Sequence, residues 1–220
     1  MRSNEQLVLA LPKGRILGEA VPLMRRAGIE IDAAFDDPDE RQLRFRTNHD
    51  GLDIVRVRSF DVPTFVAFGA AHLGITGADD LMEFDYADLY APLDLKIGRC
   101  RLVVAGPAED QGHDDLQRLS HIRIATKYPE ITRRYFAQRG VQAECIKLNG
   151  AVELAPGMGL SRQIVDLVQT GSTLKANNLV EIAEIADITS RLIVNRAVLK
   201  TRPEEVGQWI ARFREAAYAA

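Results

Sequence analysis

Cysteine is nearly absent: the 220-residue chain holds two, Cys100 and Cys145. They lie far apart and each sits in an apolar run, so no disulfide framework is expected and both are read as buried, reduced thiols. Histidine is scarce too. His49, His72, His113 and His121 have no metal-ligand spacing among themselves or with the cysteines, so no motif points to a bound metal. No apolar run reaches the length of a membrane span. The opening Met1-Arg2-Ser3-Asn4-Glu5-Gln6 leads into a short apolar run without a cleavage-site pattern, so no signal peptide is read and a cytoplasmic location is expected. A basic balance is also missing. The net charge of −3 argues against a general nucleic-acid binder. A protein of that charge that handles polyphosphates must gather its cations locally, so the basic residues beside turns are the places to inspect.

What is present is an ordinary globular composition, 46% hydrophobic and 27% charged, long enough for one large or two small domains. One stretch organises the rest. Ile164-Val165-Asp166-Leu167-Val168 reads as a buried strand, Thr170-Gly171-Ser172-Thr173 as a turn, and Leu174 to Ile182 as a helix with apolar positions 174, 179 and 182. A strand, a hydroxyl-rich turn and a helix start form an anion cradle, because the first helical N–H groups and the positive dipole end face the turn. Gly171 lets the backbone approach a phosphate, while Thr170, Ser172 and Thr173 add hydroxyl donors. Asp166, at the strand's exit, suits sugar hydroxyls. This reads as a ribose-5-phosphate site. An ordinary turn with a Ser or Thr N-cap accounts for the same stretch equally well.

The chain alternates strands and helices. Gln6 to Leu11 is a strand, Pro12 to Arg15 a turn, and Ile16 to Ala27 an amphipathic helix. Lys13 and Arg15 therefore stand at a helix N-terminus, where cations oppose the dipole; an anionic ligand explains them and helix stability does not. Arg41 to Arg46 reads as a half-exposed strand, Asp53 to Arg58 as the next. Asp61 is expected to cap the helix that follows. Leu73 to Gly77 is a strand, and Asp79 and Asp80 sit at its junction with a helix. Pro92 to Gly98 reads as a crossover, Arg101 to Ala105 as a strand and Gly106 to Gln117 as an acidic loop. Strands at 122–126, 143–147, 185–188 and 191–194 follow, with helices at 129–138, around 151–154, and from 204 to about 217.

This pattern implies an α/β fold of two lobes with mostly parallel sheets. Lobe 1 is expected over 1–95 plus 183–220, and lobe 2 over 96–182. Ligands bind at the carboxyl ends of strands in such folds, and the turns carrying Lys13, Arg15, Asp79 and Thr170 to Thr173 all follow strands. They are expected to converge on an interlobe cleft. A ligand receptor of the same shape is the rival class; it would normally bring a signal peptide or a DNA-binding helix-turn-helix, and neither is evident.

Leu11-Pro12-Lys13-Gly14-Arg15-Ile16, Asp61-Val62-Pro63-Thr64-Phe65-Val66, Gly74-Ile75-Thr76-Gly77-Ala78-Asp79, Ile124-Ala125-Thr126-Lys127-Tyr128, Glu153-Leu154-Ala155-Pro156 and Asp166 to Leu174 occur in this order. Together they resemble the ATP phosphoribosyltransferase family, in its short form without a C-terminal regulatory domain. The resemblance implies a two-lobe, periplasmic-binding-protein-like fold. It also implies the first step of histidine biosynthesis: adenine N1 of ATP attacks C1 of 5-phosphoribosyl 1-diphosphate, giving N1-(5-phosphoribosyl)-ATP and diphosphate. It places phosphoribosyl diphosphate on Glu153, Asp166, Thr170, Gly171, Ser172 and Thr173, in lobe 2. It places ATP on Lys13, Arg15, Arg58 and Asp79, in lobe 1, and assigns Lys13, Arg15 and Arg41 to catalysis at the phosphates. Pro12 stands where the family commonly has Ser, which removes a hydroxyl and an N–H. Gln42 stands where a Lys is usual, beside Arg41. The implied cofactor is Mg²⁺ borne by the substrates, with no dedicated protein ligands assigned. The implied partner is a regulatory subunit resembling histidyl-tRNA synthetase, around a homodimer within a hetero-oligomer.

Overall fold

The computed structural model describes residues 6–37, 39–110 and 120–219. In chain order the main elements are β1 (Leu7–Pro12), α1 (Arg15–Arg26), β2 (Arg44–Arg46), β3 (Leu52–Val57), α2 (Val62–Ala67), β4 (Leu73–Gly77), α3 (Ala78–Phe84), β5 (Leu89–Asp94), β6 (Cys100–Pro107), β7 (His121–Thr126), α4 (Pro129–Ala137), β8 (Gln142–Lys147), β9 (Gln163–Val168), α5 (Ser172–Ala176), β10 (Leu179–Ile188), β11 (Ser190–Asn195), α6 (Arg196–Thr201) and α7 (Pro203–Tyr218). They divide into two compact units, residues 1–98 with 189–220 and residues 99–188.

The first unit holds a six-stranded sheet in the order β2-β3-β1-β4-β11-β5. β1 pairs parallel with β3 and β4, whereas β2, β11 and β5 are added antiparallel. The sheet is therefore mixed rather than mostly parallel: only its centre is parallel, and the returning chain supplies β11 in the opposite sense. β1 explains why the sequence reads as a continuous apolar run. Leu7, Leu9 and Leu11 face α1 and α7, packing with Leu23, Met24 and Phe213. Val8 and Ala10 face the other side, with Val62 and Val66 of α2. Each such buried Leu, Val, Met or Phe side chain contributes about 2 kcal/mol of transfer free energy. Val206, Ile210 and Phe213 of α7, read as one stripe, are all buried.

The second unit has a five-stranded sheet, β10-β6-β9-β7-β8. β7 is parallel to β8 and β9, while β6 runs against β9 and β10. β10 stays in this sheet along its whole length, so the return to the first unit falls at 188/189, later than the expected 183. The helix expected over 174–182 is overturned by the same strand. α5 ends at Ala176, Asn178 takes a left-handed turn at φ 55°, and Leu179 onward pairs with β6. Bulges between Glu181 and Ala183 and between Glu184 and Ala186 place Glu181, Glu184 and Asp187 at three-residue intervals, mimicking a helical period.

Other expectations shift for local reasons. Pro92 lies within β5, an edge strand where its missing N–H costs no ladder bond. β2 begins only at Arg44, because the Gln42 N–H turns back to donate to Glu40 Oε1 at 2.6 Å. Asp61 makes no cap bond: a 3₁₀ turn over Ser59–Asp61 runs straight into α2, and the Val62 N–H already donates to Ser59 O. Cys100 is buried, but Cys145 is only half-buried. β6 extends to Pro107 and a 3₁₀ turn covers Ala108–Asp110; the remainder of the expected loop, residues 111–117 with His113, lies outside the described residues. Among these, no helix is long and apolar enough to cross a membrane.

Candidate functional site

The first unit gathers its basic turns at one edge of the sheet. β1, β3 and β4 are parallel, so Lys13, Arg58 and Ala78 leave from the same end. The Lys13 N–H donates to Val57 O at 2.7 Å, tying the first turn to the exit of β3. Arg41 precedes β2, which runs against β3, and the Arg56 N–H donates to Leu43 O at 2.8 Å. The chain before Leu43, including exposed Arg41, thus heads to that same end. Lys13, Arg15 and Arg58 are exposed, while Asp79 is buried at 4% exposure.

Gly14 shapes the basic turn. Its φ of 93° and ψ of −150° lie in a region essentially closed to other residues. α1 starts with no side-chain cap and no acid in its first turn. Its first N–H groups and the two cations around them therefore present uncompensated positive charge, which suits an anion. The Arg15 guanidinium makes one contact at this edge, 3.4 Å to Gly98 O.

Asp79 is held by a glycine of a different kind. Gly77 has ordinary φ (−67°), but a Cβ there would lie 2.0 Å from Asp79 Oδ1. The carboxylate occupies the space that a side chain at 77 would need. Nearby, burial pushes the Asp94 carboxyl up, yet the Lys96 N–H, the Thr189 hydroxyl and the cations of Lys96 and Arg191 together hold it below its ordinary value.

The second unit has a separate cavity of about 300 Å³, lined by Glu153, Asp166 and the whole Gln169–Leu174 turn. Every residue expected to hold the phosphoribosyl group is in that lining. Gly171 adopts φ 76°, which frees the turn to fold over the strand end. Thr170 Oγ1 and Ser172 Oγ lie 3.0 Å apart, and the Ser172 N–H donates to Thr170 Oγ1 at 3.4 Å. Asp166 is not at the exit of the strand but inside β9, with Oδ1 accepting the Leu167 N–H at 2.8 Å. α5 spans only five residues, so the turn's own N–H and hydroxyl groups outweigh the helix dipole as anion ligands. Among the described residues, no group of three or more His, Cys, Asp and Glu side chains is arranged to hold a metal ion.

Sequence reasoning missed three supporting side chains. Asp80, at 2% exposure, accepts from the Ser59 hydroxyl and from Thr76 Oγ1 at 3.0 Å. The signals were a second acid at the strand–helix junction and a threonine inside a buried strand.

Two α/β units with mixed sheets, one bearing basic turns and the other a hydroxyl-lined cavity with two carboxylates, define a class of protein that handles phosphorylated ligands. The chain belongs to the ATP phosphoribosyltransferase family, pentosyltransferase enzymes: the family model of that description matches residues 58–215. An ATP phosphoribosyltransferase of Paramagnetospirillum magneticum is 66% identical over 98% of this chain and 99% of that protein. One of Rhodospirillum rubrum is 65% identical over 96% of this chain and 93% of its own length. The relatives are of this chain's own size, so the likeness is to the short form. Among solved structures, a chain of the ATP phosphoribosyl transferase (HisG:HisZ) complex from Thermotoga maritima aligns with TM-score 0.81 at 33% identity, covering 98% of this chain and all of that one. The periplasmic aliphatic sulphonate binding protein SsuA of Escherichia coli aligns with TM-score 0.60 at 16% identity, over 98% of this chain and 69% of that one; it shares the two-lobe, periplasmic-binding-protein fold.

Proposed function

We propose that the chain transfers the phosphoribosyl group of 5-phosphoribosyl 1-diphosphate to N1 of the adenine of ATP, releasing diphosphate, as the cytoplasmic first step of histidine biosynthesis. The observation that carries this reading is the cavity of the second unit, where Glu153, Asp166 and the Thr170–Thr173 turn line one space. The turn's hydroxyls and N–H groups hold the 5-phosphate, and Asp166, with Glu153 beside it, accepts hydrogen bonds from the ribose hydroxyls. Lys13, Arg15 and Arg41 meet the ATP phosphates and the departing diphosphate, while Arg58 lines the ATP site and Asp79 meets the base or ribose of ATP.

Adenine N1 is a weak nucleophile, so fixing it in line with C1 is the first requirement. As the C1–O bond lengthens, the ring gains positive and the leaving diphosphate negative charge. The cations at the uncapped start of α1 stabilise that leaving group. Mg²⁺ bound through substrate phosphates supplies further neutralisation; the two carboxylates of the cavity are hard oxygen ligands that fit such a substrate-borne ion.

Incubation with ATP, phosphoribosyl diphosphate and Mg²⁺ is expected to give the absorbance of the adduct. Its absence, even with a regulatory partner added, would sink the proposal. The Thermotoga maritima relative is named as a HisG:HisZ complex, which supports a second subunit beside this chain; that this subunit is regulatory, resembles histidyl-tRNA synthetase and surrounds a homodimer is part of the same proposal. Histidine should then inhibit the assembly and leave the isolated chain unaffected.

A further inference from the structure

Asp80 is the most buried acid at the turn edge of the first unit, at 2% exposure. It sits in the first turn of α3, one residue after Asp79. Its Oδ2 accepts two hydroxyls from two other elements: Ser59, which opens the 3₁₀ turn after Arg58, and Thr76, inside β4. A buried carboxylate that collects hydroxyl donors forms bonds stronger than those between neutral groups, and loss of a partner leaves desolvated charge behind. The Arg58–Ser59 backbone is tied locally, by the Asp61 N–H to Arg58 O at 3.0 Å and the Val62 N–H to Ser59 O; the Ser59 hydroxyl is what ties this turn across to α3 and, through the shared carboxylate, to β4.

We infer that Asp80 is a positioning residue for ATP binding. It locks the Arg58 turn to the Gly77–Asp79 turn, while the Lys13 N–H to Val57 O bond locks the basic turn to the same strand exit. The inference rests on the proposal that Arg58 and Asp79 bind ATP. Asp80 itself touches no substrate. Its effect passes through Ser59 to Arg58 and through its own helix turn to Asp79, so it acts on ATP and not on the phosphoribosyl cavity of the other unit.

Calorimetric titration of each substrate, with unfolding temperature recorded in parallel, tests this. Ser59→Ala removes one donor and leaves the carboxylate bonded to Thr76, so the variant folds even where Asp80→Ala does not. Ser59→Ala and Asp80→Ala are expected to weaken ATP about tenfold, leaving the affinity for phosphoribosyl diphosphate unchanged. Asp80→Asn, which keeps an acceptor oxygen, is expected to recover part of the loss. In the Ser59→Ala, Asp80→Ala double variant the two effects are expected not to add. Wild-type ATP affinity in Ser59→Ala, or equal weakening of both substrates, overturns the inference while Arg58→Ala still weakens ATP. If Arg58→Ala binds ATP normally, the reading of that turn fails first, and the inference falls with it.

Discussion

The Asp79 carboxylate fills the space above Gly77: a Cβ at position 77 would stand 2.0 Å from Asp79 Oδ1. The glycine is required by this close approach and not by its backbone, whose φ of −67° any residue adopts. Gly77→Ala is therefore expected to fold, because a carboxylate at the end of a side chain can rotate away. The displaced Asp79 is expected to weaken ATP about tenfold or more with little change for phosphoribosyl diphosphate. Titration of both substrates against the variant checks this.

Gly14 makes the opposite case. At φ 93° and ψ −150° the backbone itself is closed to alanine, while no atom crowds the missing side chain. Gly14→Ala is expected to cost about 1–3 kcal/mol of stability and to move Lys13 and Arg15 together. Urea unfolding gives the first quantity, and KM for ATP the second.

Arg15 separates binding charge from fold. Its guanidinium is exposed and, among the described residues, makes one long contact, to Gly98 O. Arg15→Ala is expected to lower turnover by two or more orders of magnitude, the roughly 3 kcal/mol attributable to one fixed donor at developing charge, and to leave the unfolding temperature close to wild type. Near-normal turnover would remove Arg15 from the catalytic machinery.

Asp94 predicts an acid dependence. Its carboxyl is held below the ordinary value, so its native bonds add stability at pH values above the ordinary carboxylate range. That contribution disappears as pH falls through the lowered native value. Asp94→Asn is expected to be less stable than wild type at neutral pH and to converge with it toward strong acid. Unfolding curves at a series of pH values read the difference.

Local pattern carried far in this chain. The apolar runs at Leu7–Pro12, Leu73–Gly77 and Gln163–Val168 read as strands because their side chains are buried on both faces of a sheet, which requires unbroken hydrophobicity. The basic turn was legible because two cations at a helix start have no local benefit. The Thr170–Thr173 turn was legible because hydroxyls and glycine have few other uses there.

What failed locally did so for tertiary reasons. The helix read over 174–182 rested on the apolar positions 174, 179 and 182, and only pairing with β6, bulges included, makes Leu179 onward a strand. Pairing direction was equally hidden: an antiparallel neighbour such as β11 or β6 presents the same apolar run as a parallel one. The sequence by itself determined the family, the two-unit α/β character and the residue types that meet phosphate, because those depend on composition and short spacing. Tertiary structure alone decided that Gly77 is a glycine for Asp79 and that Asp80 joins Ser59 to Thr76. Each is a contact between side chains or backbone that only the folded packing brings within bonding distance.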